Sequence, residues 1–171
     1  MENTTLDYLQ KGYYTRGRIL NNTISLELGI EEYIVRYISN EETKRDYIMQ
    51  LFLSTEKITF GNKTDIFMKI LKLKTPDAKE FNKDYDGFAT DLEKVVSMRN
   101  RFAHDIMPEI KPEGGPESYE ICLRRGSTNK YTFYTNELIN AHIKIIDKCQ
   151  VRLFYAILKT VIGKPLISHQ S

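Results

Sequence analysis

The sequence predicts an all-α protein, an up-and-down bundle of roughly four to five helices with a small β-hairpin inserted before the last helix. Three observations carry this. Apolar residues recur at helical spacing over most of the chain. The breaks between those stretches hold helix-stopping residues such as Asn40, Thr75-Pro76-Asp77 and Pro108. Only residues 119–134 gather β-formers in short runs around a polar turn. A chain of 171 residues is expected to form one domain, with residues 108–135 as a loop plus hairpin insertion.

Residues 1 to about 13 read as a lead-in anchored by Leu6 and Leu9, because Gly12 and Gly17 weaken a continuous helix. A long helix is expected from about Tyr14 to Ser39, with Ile19, Thr23, Leu26, Ile30, Tyr33 and Tyr37 on one stripe. Leu20, Ile24, Leu28, Ile34 and Ile38 form a second stripe, which suits a helix with neighbours on more than one side. A second helix over Glu42–Leu53 should turn Tyr47, Ile48, Leu51 and Phe52 inward. A third, from about Ser54 to Leu73, takes Ser54 or Thr55 as its N-cap and has Lys63 on its apolar face.

Thr75-Pro76-Asp77 leads into a short helix at about 78–85, and the next helix runs from about Phe88 to Asp105, stopped by Pro108 and Pro112. Residues 108–118 hold three prolines and two glycines and read as a loop. Tyr119–Leu123 and Tyr131–Tyr134 are the expected hairpin strands, with Arg124–Lys130 as their turn. Thr135 caps a final helix to about Ile162, closed by Gly163 and Pro165.

Hydrophobic residues make up 41% and charged residues 28%, which places the chain among soluble globular proteins rather than disordered ones. A net charge of +2 neither demands nor excludes a nucleic-acid partner, because a local basic site can hide in a balanced total. Cys122 and Cys149 are too few for a disulfide framework, no secretory segment opens the chain, and no apolar run has the length of a membrane span. A cytoplasmic protein with no membrane partner is therefore expected, and the sequons at Asn3, Asn21 and Asn62 carry no weight.

There is no phosphate-cradling glycine loop, dinucleotide fingerprint or nucleophile elbow. His104, His142 and His169 lack the spacing of a zinc site, so neither a metal nor another cofactor is expected. Glu27, Glu31 and Glu32 share a helix and read as a solvated face, with Glu32 paired to Arg36.

What stands out is Met98-Arg99-Asn100-Arg101-Phe102-Ala103-His104-Asp105, where polar residues interrupt a core helix. With 9 Arg and 3 His in the chain, an Arg four to six residues before a His should arise by chance roughly 0.5 times. Requiring Asn directly after that Arg lowers the expectation to roughly 0.03, since 10 of 171 residues are Asn. Asn100 and His104 share a helix face, whereas Arg99 and His104 lie about 140° apart. Closing both around one phosphate requires either a distorted helix or a second copy of the chain. The structural alternative makes Arg99 and Arg101 surface charges and His104 a residue favoured at a helix C-terminus.

Arg99-Asn100-Arg101-Phe102-Ala103-His104 resembles the Arg-x4-6-His signature of the HEPN superfamily, in its variant with Asn after the Arg. The resemblance is specific over roughly residues 88–106 and looser, as an all-helical pattern, over residues 14–162. It implies a helical bundle that dimerises so that the two signature helices meet in a cleft. For many members it implies metal-independent endoribonuclease activity in toxin–antitoxin, phage-defence or CRISPR systems, while others only bind nucleotides or proteins. One branch carries Tyr two residues after the His as the target of a partner nucleotidyltransferase; Ile106 stands there in this chain, which argues against that pairing.

The residue types suit such chemistry on their own terms. Metal-free RNA cleavage needs a base for the 2′-OH and an acid for the leaving 5′-oxygen, and histidine can serve as either near neutral pH. A guanidinium offers planar, bidentate charge to the phosphorane, and Asn100 can bond the phosphate or orient the His104 ring. One protomer supplies one such histidine for two tasks, which a two-fold homodimer would resolve.

The expected protein is thus a homodimeric endoribonuclease acting on RNA, with Arg99, Asn100 and His104 of both protomers as catalytic residues. Its control is expected from a separate antitoxin or sensor protein. Weaker RNA-binding candidates are Lys63, which otherwise snorkels, and Arg101, which otherwise pairs with Asp105. Arg124, Arg125 and Lys130 join them as a basic hairpin beside Tyr131 and Tyr134. His142 and His169 read as structural. The rival expectation is a non-catalytic helical module that binds a partner protein or a nucleotide.

Overall fold

Helical spacing in the sequence becomes helix in the computed structural model, which describes residues 2–53, 58–109, 112, 115, 116, 118–126, 128 and 130–162. Among these residues the helices are α1 (Glu2–Ile38), α2 (Glu42–Ile48), α3 (Phe60–Lys74), α4 (Ala78–Tyr85), α5 (Phe88–His104) and α6 (Asn136–Ile162). A π-helical turn, Met49–Leu53, continues α2, and the strands β1 (Ile121–Arg124) and β2 (Tyr131–Tyr134) precede α6. The protein is all-α with one small antiparallel hairpin before its last helix, as the periodicity predicts. No helix among the described residues is long and apolar enough to cross a membrane.

The length predicts one domain, and the structure divides into two compact units. Unit one takes Met1–Ser25 and Asp91–Ile146; unit two takes Leu26–Thr90 and Asp147–Ser171. At 37 residues α1 is about 55 Å long, more than a small core can cover, so its two ends enter different units.

In unit one, α1 does not break at its glycines as the sequence suggests. Tyr8, Thr15 and Ile19 are buried at helical spacing on either side of Gly12 and outweigh a cost of about 1 kcal/mol per glycine. At Gly12 the missing side chain is used, because a Cβ there would stand 2.5 Å from the Met107 sulfur. The hairpin pairs Ile121 with Tyr134 and Arg124 with Tyr131, and Ile121, Cys122 and Leu123 are fully buried. Tyr119 meets Phe133 edge-on at 4.9 Å, and Phe102 of α5 meets Tyr134 at the same distance. Burial pushes the Tyr8 and Tyr119 hydroxyls up to about 12 and the Cys122 thiol up to about 11, so all three stay neutral in this core.

In unit two, edge-on rings run from Tyr33 to Phe67 at 5.0 Å and from Phe67 to Phe88 at 5.8 Å. Of the first expected α1 stripe, Leu26, Ile30 and Tyr33 are buried here and Tyr37 is exposed; of the second, Ile34 is buried while Leu28 and Ile38 are exposed. Tyr47, Leu51 and Phe52, expected to face inward, are exposed as well, and Leu53 is buried instead. Tyr47 precedes the π-helical turn, in α2, which buries none of its residues; Leu51 and Phe52 lie in the turn, whose wider winding departs from the α-helical spacing and puts Leu53 inward. Thr59 caps α3 by accepting from the Asn62 amide at 3.3 Å; the expected caps Ser54 and Thr55 lie outside the described residues. Asp77 caps α4 through the amides of Lys79 and Glu80, and Gly87, at φ 67°, makes the left-handed joint into α5.

Candidate functional site

The last three turns of α5 set the site. Val95, Met98 and Phe102 are buried at i, i+3 and i+7 and fix the inner face of the helix in unit one. Ser97, Asn100, Arg101 and His104 recur at i, i+3, i+4 and i+7 on the outer face. With Asp105 and Arg125 they line an open cleft of about 360 Å³. Asn100 and His104 are exposed in it and Asp105 is buried. Four residues named from the sequence therefore meet here: Asn100, Arg101, His104 and Arg125. Ser97 and Asp105 are additions, and the available signal for Ser97 is its position seven residues before His104.

Arg99 does not line this cleft. It is half-buried, and its Nη1 donates to Asn100 Oδ1 at 3.3 Å. Because α5 stays α-helical through His104, no distortion swings Arg99 and His104 together. The divergence expected from helical geometry holds within one chain.

Arg101 is committed on three sides. Its Nε donates to Asp105 Oδ2 at 3.5 Å, its Nη2 donates to the Thr132 hydroxyl, and its guanidinium lies 5.7 Å from the Tyr134 ring centre. This ties the end of α5 to β2. His142 is half-buried beside Tyr134, and burial together with the Arg101 charge lowers its pKa below 6.5.

Two further contacts hold the C-terminal end of α5, where helix carbonyls lack partners of their own. Arg16 of α1 donates from Nη2 to the Ala103 carbonyl at 2.8 Å. Past the helix end, Ile106 and Arg124 exchange both backbone hydrogen bonds, at 2.9 and 2.8 Å. That bridge extends the hairpin and sets Arg125 beside His104. Arg124 is half-buried in β1 and Lys130 is exposed; neither lines the cleft.

Lys63 is not a free cation for phosphate. It lies in unit two, 5% exposed, and donates to Glu27 at 2.6 Å and to Glu31. Burial pulls its pKa down, but the bonds and charges of the two carboxylates prevail and hold it above 10.5. The same contacts correct the reading of the glutamates. Glu31 is buried and Glu27 half-buried against Lys63, and only Glu32 is a surface group, paired with Arg36 as expected. One lysine of α3 pairs with two glutamates of α1, a match that depends on how α1 meets α3. His169 lies outside the described residues.

Among the described residues, no group of three or more His, Cys, Asp and Glu side chains is placed to hold a metal ion. Chemically, the cleft sets an exposed imidazole and an amide beside an exposed guanidinium from the hairpin, an arrangement able to bind an anion and move a proton next to it. No protein family, curated protein or solved structure matches this chain.

Proposed function

We propose that the chain is a metal-independent endoribonuclease of the HEPN type, acting as a homodimer in a toxin–antitoxin or anti-phage role. The observation that carries this reading is the convergence of Asn100 and His104 on one cleft with positive charge at its wall. In the proposed reaction the 2′-oxygen attacks the adjacent phosphorus and the bond to the 5′-oxygen breaks. One His104 accepts the 2′-OH proton, and the His104 of the second copy gives a proton to the departing 5′-oxygen. The products are a 2′,3′-cyclic phosphate, or the 3′-phosphate from its hydrolysis, and a 5′-OH.

The outward divergence of Arg99 supports the dimer, since a second copy of α5 would bring its own Arg99 to a shared site. The test is incubation of wild-type and His104→Ala protein with a tRNA and mRNA mixture in EDTA, followed by end-mapping. Cleavage with 5′-OH ends by wild type alone is expected; equal cleavage by His104→Ala removes the assignment.

The same placement of Arg99 also fits a second reading. Arg99, the first residue of the signature, sits outside the cleft and bonds to its neighbour Asn100. A non-catalytic module that binds a partner protein or a nucleotide would tolerate this. Such a protein would not be toxic on overexpression, whereas the nuclease would be, with relief by Arg99→Ala or His104→Ala.

A further inference from the structure

We infer that Arg125, delivered by the hairpin, is the phosphate-binding guanidinium of the His104 cleft within a single chain. This rests on reading the cleft as an RNA site, and it assigns a task that the α5 signature leaves open in one protomer.

Each arginine and lysine near the cleft can be asked whether its charge is available. Arg101 is held by Asp105, Thr132 and the Tyr134 ring. Arg99 is on another face of α5, bonded to Asn100. Arg16 donates to the Ala103 carbonyl. Arg124 and Lys130 do not line the cleft. Arg125 lines it with an exposed side chain.

The position of Arg125 is built rather than incidental. The paired backbone bonds between Ile106 and Arg124 fix the residue before Arg125 to the residue two beyond His104. On its other side, the Thr128 amide and hydroxyl both donate to the Arg125 carbonyl, at 3.1 and 2.7 Å. Gly126, at φ 49°, makes the left-handed step that this turn requires. The backbone is thus pinned on both sides while, among the described residues, the guanidinium has no hydrogen bond or ion pair, an arrangement suited to bidentate capture of a phosphate beside an imidazole. Each chain would then hold a phosphate beside its own His104, and the partner copy would add its Arg99 and the second proton-transfer group.

The probe is a fluorescein-labelled single-stranded RNA carrying 2′-O-methyl groups, which binds without an attacking hydroxyl. Its affinity is measured by fluorescence anisotropy at several salt concentrations for wild type, Arg125→Ala and Lys130→Ala, alongside cleavage of unmodified RNA. Arg125→Ala leaves the turn intact, because Thr128 bonds the backbone carbonyl and not the side chain. It is expected to weaken binding by about tenfold and to lower the salt slope by about one phosphate contact, while Lys130→Ala changes binding less than about twofold. Arg125→Ala binding no more weakly than Lys130→Ala overturns the inference. Wild-type cleavage that Arg125→Ala retains in full, with unchanged binding, sinks the role of Arg125 and leaves the nuclease reading standing. Arg125-dependent binding without wild-type cleavage does the opposite. Wild type that neither binds nor cleaves removes both.

Discussion

The Arg16 guanidinium of α1 donates to the carbonyl of Ala103, the residue immediately before His104, at 2.8 Å. Helix ends fray because their last carbonyls have no intrahelical partner, and this bond supplies one from a distant part of the chain. Arg16→Ala should destabilise unit one by about 1 kcal/mol and speed hydrogen exchange at the Phe102–Asp105 amides. Under the nuclease reading it should also lower cleavage, by loosening His104. Unchanged exchange at those amides would show that Arg16 does not hold the helix end.

Arg101 gives a different expectation from Arg125. Removing it leaves the buried Asp105 carboxylate without its cation and the Thr132 hydroxyl without its donor. Arg101→Ala should cost about 2 kcal/mol in urea denaturation, and Arg101→Lys should recover little of it, since lysine lacks the fork that spans both partners. A variant with wild-type stability and impaired RNA binding would instead make Arg101 an RNA contact.

The Lys63–Glu27–Glu31 cluster predicts a pH dependence. The two carboxylates hold the folded lysine above its usual 10.5, so the proton binds more tightly in the folded state than in the unfolded one. The stabilisation is therefore full below the unfolded value and fades as pH rises through the folded one. Lys63→Met should cost about 3–5 kcal/mol near neutral pH, because two glutamates remain in a buried site without their cation. The gap between wild type and Lys63→Met should narrow in urea melts as pH rises above the unfolded lysine value of about 10.5. Adding Glu27→Gln and Glu31→Gln to the variant should restore much of the loss.

The two glycines of α1 in unit one should respond in contrasting ways to alanine. Nothing lies within 4 Å of a Cβ placed at Gly17, whereas one at Gly12 meets the Met107 sulfur at 2.5 Å. Gly17→Ala should stabilise by about 0.5–1 kcal/mol through helix propensity alone. Gly12→Ala must shift Met107 and should gain less or lose. Thermal melts of the two variants, compared under one condition, check this, and an equal gain from both would refute the packing role of Gly12.

Taken alone, the sequence determined the fold class, the hairpin and the ends of most helices, because these follow from periodicity and capping within a few residues. Thr135, Asp77 and the Pro108 stop are legible in that way. It also determined that Asn100 and His104 share a face and that Arg99 does not, since helical geometry is local. Tertiary structure decided what depends on contacts between distant residues. Gly12 lies in an unbroken helix because Tyr8, Thr15 and Ile19 are buried around it, and Leu53 is buried while Leu51 is exposed where α2 passes into a π-helical turn. Lys63 is neutralised by two glutamates more than thirty residues earlier, at separations of 36 and 32. Arg125 and not its neighbour Arg124 reaches the cleft, because the pairing of Ile106 with Arg124 sets which side chain points there. Charge in a sequence is a count; whether a given charge is available is settled by its neighbours in space.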